Sequence, residues 1–249
     1  MKLYVLPVER ACDARCSFCI TDFRDAITRK QFLDVAALEK VLRTIEVEKI
    51  EITGGGEPTL HPALDTIIDL CTAKAPTQLY THGARITSIQ SIPKLQYLCI
   101  SRAHYDDQEN ERIMGIKYDM GQLQPVKVPL KFSLLLHRSG IHTLEEVQTY
   151  LAWAQDKAQK VVLRQLFEHD HHKNTPQDTP KIDGEYVSSE TLFQNLNIRS
   201  FQQTASGNPV FSYGRLEVEV EFRSCACEMN NPVLHADGKL YKGWSNELQ

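Results

Sequence analysis

The chain has 249 residues, 42% hydrophobic and 24% charged, the profile of an ordinary globular protein of one large domain or a barrel with a small appendage. Its 28 lysines and arginines face 32 aspartates and glutamates, a net charge of -4, which does not build the positive field that nucleic-acid or anionic-membrane binding needs. No apolar run approaches the roughly 20 residues that span a bilayer, and residues 1–10 lack the parts of a signal peptide, so a cytoplasmic protein without nucleic-acid or membrane partners is expected.

Short runs rich in β-branched and aromatic residues alternate with amphipathic stretches, the pattern of strand–helix units in a parallel sheet. Strands are predicted over residues 2–8, 49–53, 78–80, 96–101, 130–136 and 161–167, and helices over 34–47, 62–73, 85–92, 107–113 and 143–160. Asp34 and Thr143 are natural N-caps, Thr143 with Glu146 fits a capping box, and Pro62 suits a first helical turn. A complete eight-unit barrel takes about 250 residues on its own. The fold class expected is therefore α/β, a partial (β/α)6 TIM-like barrel over residues 1–180 with a short α/β cap over 181–249. The polar, proline-containing stretch 168–184 reads as a loop at the sixth strand's C-terminal end. A helix is predicted over 189–196. Residues 215–223 alternate as a half-exposed strand, with Leu216, Val218, Val220 and Phe222 on one side and Glu217, Glu219 and Glu221 on the other. Asp237-Gly238 reads as a tight hairpin between 233–235 and 239–241.

Seven cysteines, an odd number without an export signal, argue against a disulfide framework and for thiol or metal chemistry. Cys12, Cys16 and Cys19 share one loop just after the first strand, at the face where barrel enzymes build active sites. Structural zinc takes four closed ligands, whereas three thiolates on a four-iron cluster leave one iron open. A non-enzymatic metal-binding module remains the plain alternative.

The spacing Cys12-x-x-x-Cys16-x-Phe18-Cys19 resembles the signature of the radical S-adenosylmethionine (SAM) superfamily. Gly55-Gly56-Glu57-Pro58 follows the second strand as that family's GGEP segment does, and Thr81-His82-Gly83 ends the third where many members carry Thr-Asn-Gly. Ser101 ends the fourth strand, and Arg164 lies in the sixth much as in the molybdenum-cofactor biosynthesis branch. The resemblance implies a [4Fe-4S] cluster on Cys12, Cys16 and Cys19 whose open iron binds SAM. It further implies an electron donor such as flavodoxin or ferredoxin, and a 5′-deoxyadenosyl radical that takes a hydrogen atom from a small-molecule substrate. Phe18, Gly55, Gly56, Glu57, Thr81 and Ser101 are the implied SAM contacts, and His169, just beyond the sixth strand, is a further candidate contact to adenine or substrate. His82 departs from the family's asparagine, so no role is carried over to it.

The C-terminal part resembles a degenerate auxiliary-cluster unit of the SPASM or Twitch type. Cys225 and Cys227 remain, but Gly243 stands where a further cysteine belongs, so a second Fe–S cluster is not expected. Free Cys225 and Cys227 would be candidate hydrogen donors to a substrate radical; cluster-bound, they would turn the outcome to oxidation. The His169-Asp170-His171-His172 cluster lacks the i, i+4 spacing of a helical zinc site and reads as a solvated loop at the barrel mouth. Arg102, His104 and Arg164, at or near strand ends, are candidate substrate residues and suit an oxygen-rich or anionic molecule such as a sugar, nucleoside or amino-acid derivative. Epimerisation, rearrangement and dehydrogenation all stay open. With the motif starting at residue 12, a fused cobalamin-binding or peptide-recognition domain is not expected; a peptide maturase working with a separate partner is the enzymatic alternative.

Overall fold

The computed structural model describes residues 1–19, 31–123, 126–166, 185–196, 198, 200–204, 207–221 and 231–243. Six strands run parallel in chain order: β1 (Lys2–Val5), β2 (Lys49–Ile52), β3 (Thr77–Thr81), β4 (Tyr97–Ser101), β5 (Leu130–Leu136) and β6 (Lys160–Gln165). Between them lie α1 (Val35–Thr44), α2 (Leu64–Lys74), α3 (Asp107–Met114) and α4 (Leu144–Ala154). The α/β partial barrel expected from the sequence is the fold observed.

Side chains alternate across each strand, and the two sets part company. One set, including Leu3, Val5, Ile50, Ile52, Leu79, Leu98, Ile100, Phe132, Leu134 and Leu163, joins the helices in the main apolar core. The other set, Lys2, Glu51, Gln78, Tyr80, Cys99, Lys131 and Arg164, lines the inner face and is mostly buried as well. Strands covered on both faces are the rule for parallel sheets, but a charged inner face is a special use of that burial.

Caps hold where the sequence placed them: Asp34 accepts from Ala36 N–H, and Thr143 with Glu146 forms the complete capping box. The second helix starts at Leu64, two residues after Pro62, because a one-turn 3-10 helix, Pro58–Leu60, comes first and His61 Nδ1 takes the Ala63 N–H. The helix expected over 85–92 is replaced by two 3-10 turns, Ile86–Ser88 and Ile92–Lys94. Ser91 gives its N–H to Asp65 and its hydroxyl to Asp69 of α2, and Pro93 has no amide to continue a helix.

Later residues extend the sheet on both sides. The remaining elements are α5 (Ser189–Asn195), β7 (Gln202–Gln203), β8 (Pro209–Tyr213), β9 (Leu216–Val220), β10 (Pro232–Leu234) and β11 (Leu240–Lys242), and the sheet order is β11-β10-β1-β2-β3-β4-β5-β6-β9-β8-β7. β9 lies parallel to β6 and β10 parallel to β1. The expected alternation in β9 is present, but its acidic side is not simply solvated. Lys160 binds Glu217 and Glu219 at 2.7 and 2.9 Å, and Arg164 binds Glu221 at 3.2 Å. The predicted hairpin is observed as β10–β11, with Gly238 at a left-handed φ of 82°. β7 and β8 were not foreseen. Among the described residues no helix is long and apolar enough to cross a membrane.

Candidate active site

The loop carrying Cys12, Cys16 and Cys19 leaves the C-terminal end of β1 and is tied down at three places. The first is the glycine-rich turn after β2: Arg10 N–H donates to Gly55 O (2.9 Å) and Glu57 N–H to Ala11 O (2.8 Å). A Cβ on Gly56 would come within 2.3 Å of Ala11 O, so only glycine allows this approach. Gly55 carries no such demand, since its nearest neighbour would be 3.6 Å away. Arg10 holds a left-handed φ of 59°, a strain of about 1–2 kcal/mol for a residue with a side chain.

The second tie is at the end of β3. Buried Glu57 accepts from Thr59 N–H (3.0 Å), the Thr59 hydroxyl (2.7 Å), the Thr81 hydroxyl (2.6 Å) and His82 N–H (3.0 Å), so it locks the β2 and β3 ends together. His82 Nδ1 accepts from Ala84 N–H (3.1 Å), which puts the neutral ring's proton on Nε2. That nitrogen donates to Asp13 Oδ1 at 2.7 Å, while Arg85 Nε takes Oδ2 at 2.7 Å. Burial raises the Asp13 pKa, but the bonds from Arg85 and His82 outweigh it and hold the carboxyl below its usual range. Ligand atoms of Cys12, Asp13 and His82 lie within 4.8 Å of one another. Asp13 and His82 are already bonded to each other, and Asp13 to Arg85, so the pair braces the loop.

The third tie is the C-terminus of α3. Arg15 N–H donates to Met114 O (2.9 Å) and Ser17 N–H to Ile113 O (3.2 Å), satisfying carbonyls that a helix end leaves open. Gly115 turns the chain with a φ of 63°, and a Cβ there would meet Arg15 Cβ at 2.9 Å. Cys16 Sγ lies 3.7 Å from Met114 O, and Cys19 N–H closes the loop on Cys16 O at 3.1 Å. Phe18 packs on Ala103, Ile113 and Met114 and stands 4.9 Å from the ring of His137, just beyond β5. Burial, with the charges of Glu57, Asp13 and Cys19, pushes the Cys12 thiol up to about 11. Binding iron there would release a proton. Three thiols on one braced loop with an apolar wall on one side are a donor set that fits a four-iron cluster.

Other sequence candidates fall in different surroundings. Ser101 sits half-buried at the end of β4, in register with Ser133. Thr81 spends its hydroxyl on Glu57 and accepts from Gly83 N–H. Arg102 is 1% exposed and turns into the loop after β4, donating to His104 O (2.7 Å) and Tyr105 O (3.2 Å), pairing with Asp107, and lying over Trp153 and Tyr118. His104 Nδ1 accepts from Asp106 N–H (3.0 Å), and burial lowers its pKa. Arg164 projects into the lumen, its guanidinium 5.3 Å from the Tyr80 ring. His169, Cys225 and Cys227 lie outside the described residues.

Sequence reasoning passed over four lumen and mouth residues: Asp13, Tyr80, Lys131 and His137. Lys131 is 5% exposed and donates to Tyr80 Oη (2.9 Å) and, at 3.5 Å, Gln78 Oε1, with no carboxylate in ion-pair contact among the described residues. Burial lowers its pKa, and burial holds the Tyr80 phenol protonated. The signal was present: Lys131 and Ser133 are polar at period two in an otherwise apolar strand.

No protein-family model matches the chain. The GTP 3′,8-cyclase of Chlorobaculum tepidum is 37% identical over 71 residues, which is 27% of this chain and only 21% of that enzyme's length. SuiB of Streptococcus suis, bound to precursor peptide SuiA, shares the fold over 96% of this chain and 58% of SuiB, with a TM-score of 0.70 and 16% identity. The structure of anSMEcpe with bound AdoMet matches over 97% and 73%, with a TM-score of 0.59 and 14% identity. The two structural likenesses are of fold.

Proposed function

We propose that this chain, a member of the radical SAM superfamily, holds a [4Fe-4S] cluster on Cys12, Cys16 and Cys19 and acts on a small polar molecule by hydrogen abstraction. The observation that carries the reading is a braced three-thiol loop at the mouth of a parallel barrel with a charged lumen. When bound, the cluster supplies the electron that splits SAM into methionine and a 5′-deoxyadenosyl radical.

The chain's own residues then have distinct work. Gly56, Glu57, Thr81 and His82 keep the loop in one place, and Phe18 with Ile113 and Met114 shields one side from water. Gly55, Gly56 and the Ser101 hydroxyl stand as SAM contacts at neighbouring strand ends. Lys131 and Arg164 read the substrate's oxygen-rich or anionic groups, and Tyr80 between them fixes their heads. The division into residues 1–180 and 181–249 belongs to the same proposal, the second part flanking the barrel. Cys225 and Cys227 are its hydrogen donors if the outcome is epimerisation; rearrangement and dehydrogenation are the other outcomes.

Incubating the reconstituted, oxygen-free protein with SAM and reduced flavodoxin tests this. Equal amounts of 5′-deoxyadenosine and methionine are expected. Iron-loaded, folded protein that releases neither would contradict the proposal.

A further inference from the structure

We propose that His235, on the C-terminal hairpin, is a positioning residue for the three-cysteine loop and acts on it through Glu9; this rests on reading that loop as a cluster site. β10 runs parallel to β1, so both strands end at the same edge of the sheet, and Leu6 N–H donates to Leu234 O (2.9 Å) where they part. Immediately beyond, His235 Nδ1 is bonded to the Glu9 carboxylate, and both side chains are buried. This is the one side-chain hydrogen bond of Glu9 among the described residues, and His235 Nε2 is buried there without a partner. The ring is committed to Glu9.

The tightest part of the loop begins at Glu9 itself. Glu9 bridges Gly55 through its backbone, Arg10 takes the left-handed conformation, and Ala11 lies against Gly56. The pair sets the direction from which the chain enters that contact, three residues before Cys12. The hairpin is a firm base for it. Tyr241 stands edge-on to His235 at 4.7 Å and donates its hydroxyl to Asp237 (2.8 Å), and Asp237 also accepts from Lys239 N–H (3.0 Å). Docking alone does not need a polar pair, because Val233 packs with Tyr4 and Leu6 in an apolar cluster of its own. The hairpin that resembles a degenerate auxiliary-cluster unit is thus a working support of the first cluster's loop.

The test compares His235→Ala, Glu9→Ala and the double variant carrying Glu9→Gln with His235→Gln, all reconstituted with iron and sulfide. The single variants are expected to fold and load iron, but to lose most of the change that SAM causes in the reduced cluster's paramagnetic resonance spectrum. Their KM for SAM is expected to rise about tenfold, the size of effect typical when an outer group orienting a metal site is lost, with kcat changing less. The double variant, whose two amides can hydrogen-bond, should recover part of both. A wild-type spectrum and KM in His235→Ala, with only the melting temperature lowered, would overturn the proposal. Failure of the unaltered protein to hold iron would instead sink the cluster reading. The support role is then decided by amide exchange in the iron-free chain: faster exchange at Arg10 and Glu57 in His235→Ala upholds it, and equal exchange overturns it.

Discussion

The two faces of the sheet are built from the same six strands and obey different rules. Outward, Val5, Ile52, Leu79, Ile100, Phe132 and Leu163 meet the helices, and each such buried side chain contributes roughly 1.5–3 kcal/mol. Inward, Glu51 is ion-paired with Lys2 and Lys49, and Lys131 contacts Gln78 and Tyr80 with Arg164 over the Tyr80 ring, where an apolar filling would serve stability at least as well. The outer face makes the barrel. The inner face gives it a charged and polar lining.

That contrast can be broken in graded steps. The mouth gives the largest effect: Cys16→Ala should abolish iron retention and SAM cleavage while leaving the denaturation midpoint close to wild type. Retained cleavage would mean that the triplet is not the cluster site. Next comes Phe132→Ala on the outer face, where a fully buried ring stacked 5.3 Å from Trp153 is lost at about 3–5 kcal/mol, readable by urea unfolding. On the inner face, Lys131→Met removes a buried amine whose pKa burial lowers but also leaves the buried Tyr80 hydroxyl without that donor, so the two effects oppose and the urea midpoint should move less than in Phe132→Ala. The same variant should keep unproductive 5′-deoxyadenosine release and lose product formation; unchanged product would return Lys131 to packing. A smaller effect separates two glycines: Gly56→Ala should destabilise by about 1–3 kcal/mol and impair iron loading, and Gly55→Ala should do neither.

The smallest effect is a pH dependence of the lumen. Burial raises the Glu51 pKa, but Lys49, Lys2 and Lys131 outweigh it and bring the carboxyl to about 2, against an ordinary 4.5. A folded-state pKa below the unfolded one contributes stability that is present above about pH 4.5 and is lost as pH falls toward 2. Glu51→Gln should therefore flatten the acid limb of the stability profile in that window; an unchanged limb would show the lumen charges to be screened.

Much of this was legible in the sequence because local chemistry agreed with the global pattern. The order of strands, the Asp34 and Thr143 caps and the Asp237-Gly238 hairpin all rest on short-range signals, whereas the ties that brace the Cys12–Cys19 loop to β2, β3 and α3 do not. The features that failed depended on distant partners. The turns at Ile86–Ser88 and Ile92–Lys94 replace a helix because Asp65 and Asp69 of another helix capture Ser91. Glu217, Glu219 and Glu221 looked like a solvated edge because Lys160 and Arg164, which bind them, lie in a strand 50 residues and more away.

The central claim is tested most directly by iron and labile sulfide per chain after oxygen-free reconstitution. About four of each, falling to little or none in Cys16→Ala, is the predicted result for one cluster on the three-thiol loop. Zinc in place of iron, or iron unaffected by Cys16→Ala, would contradict it.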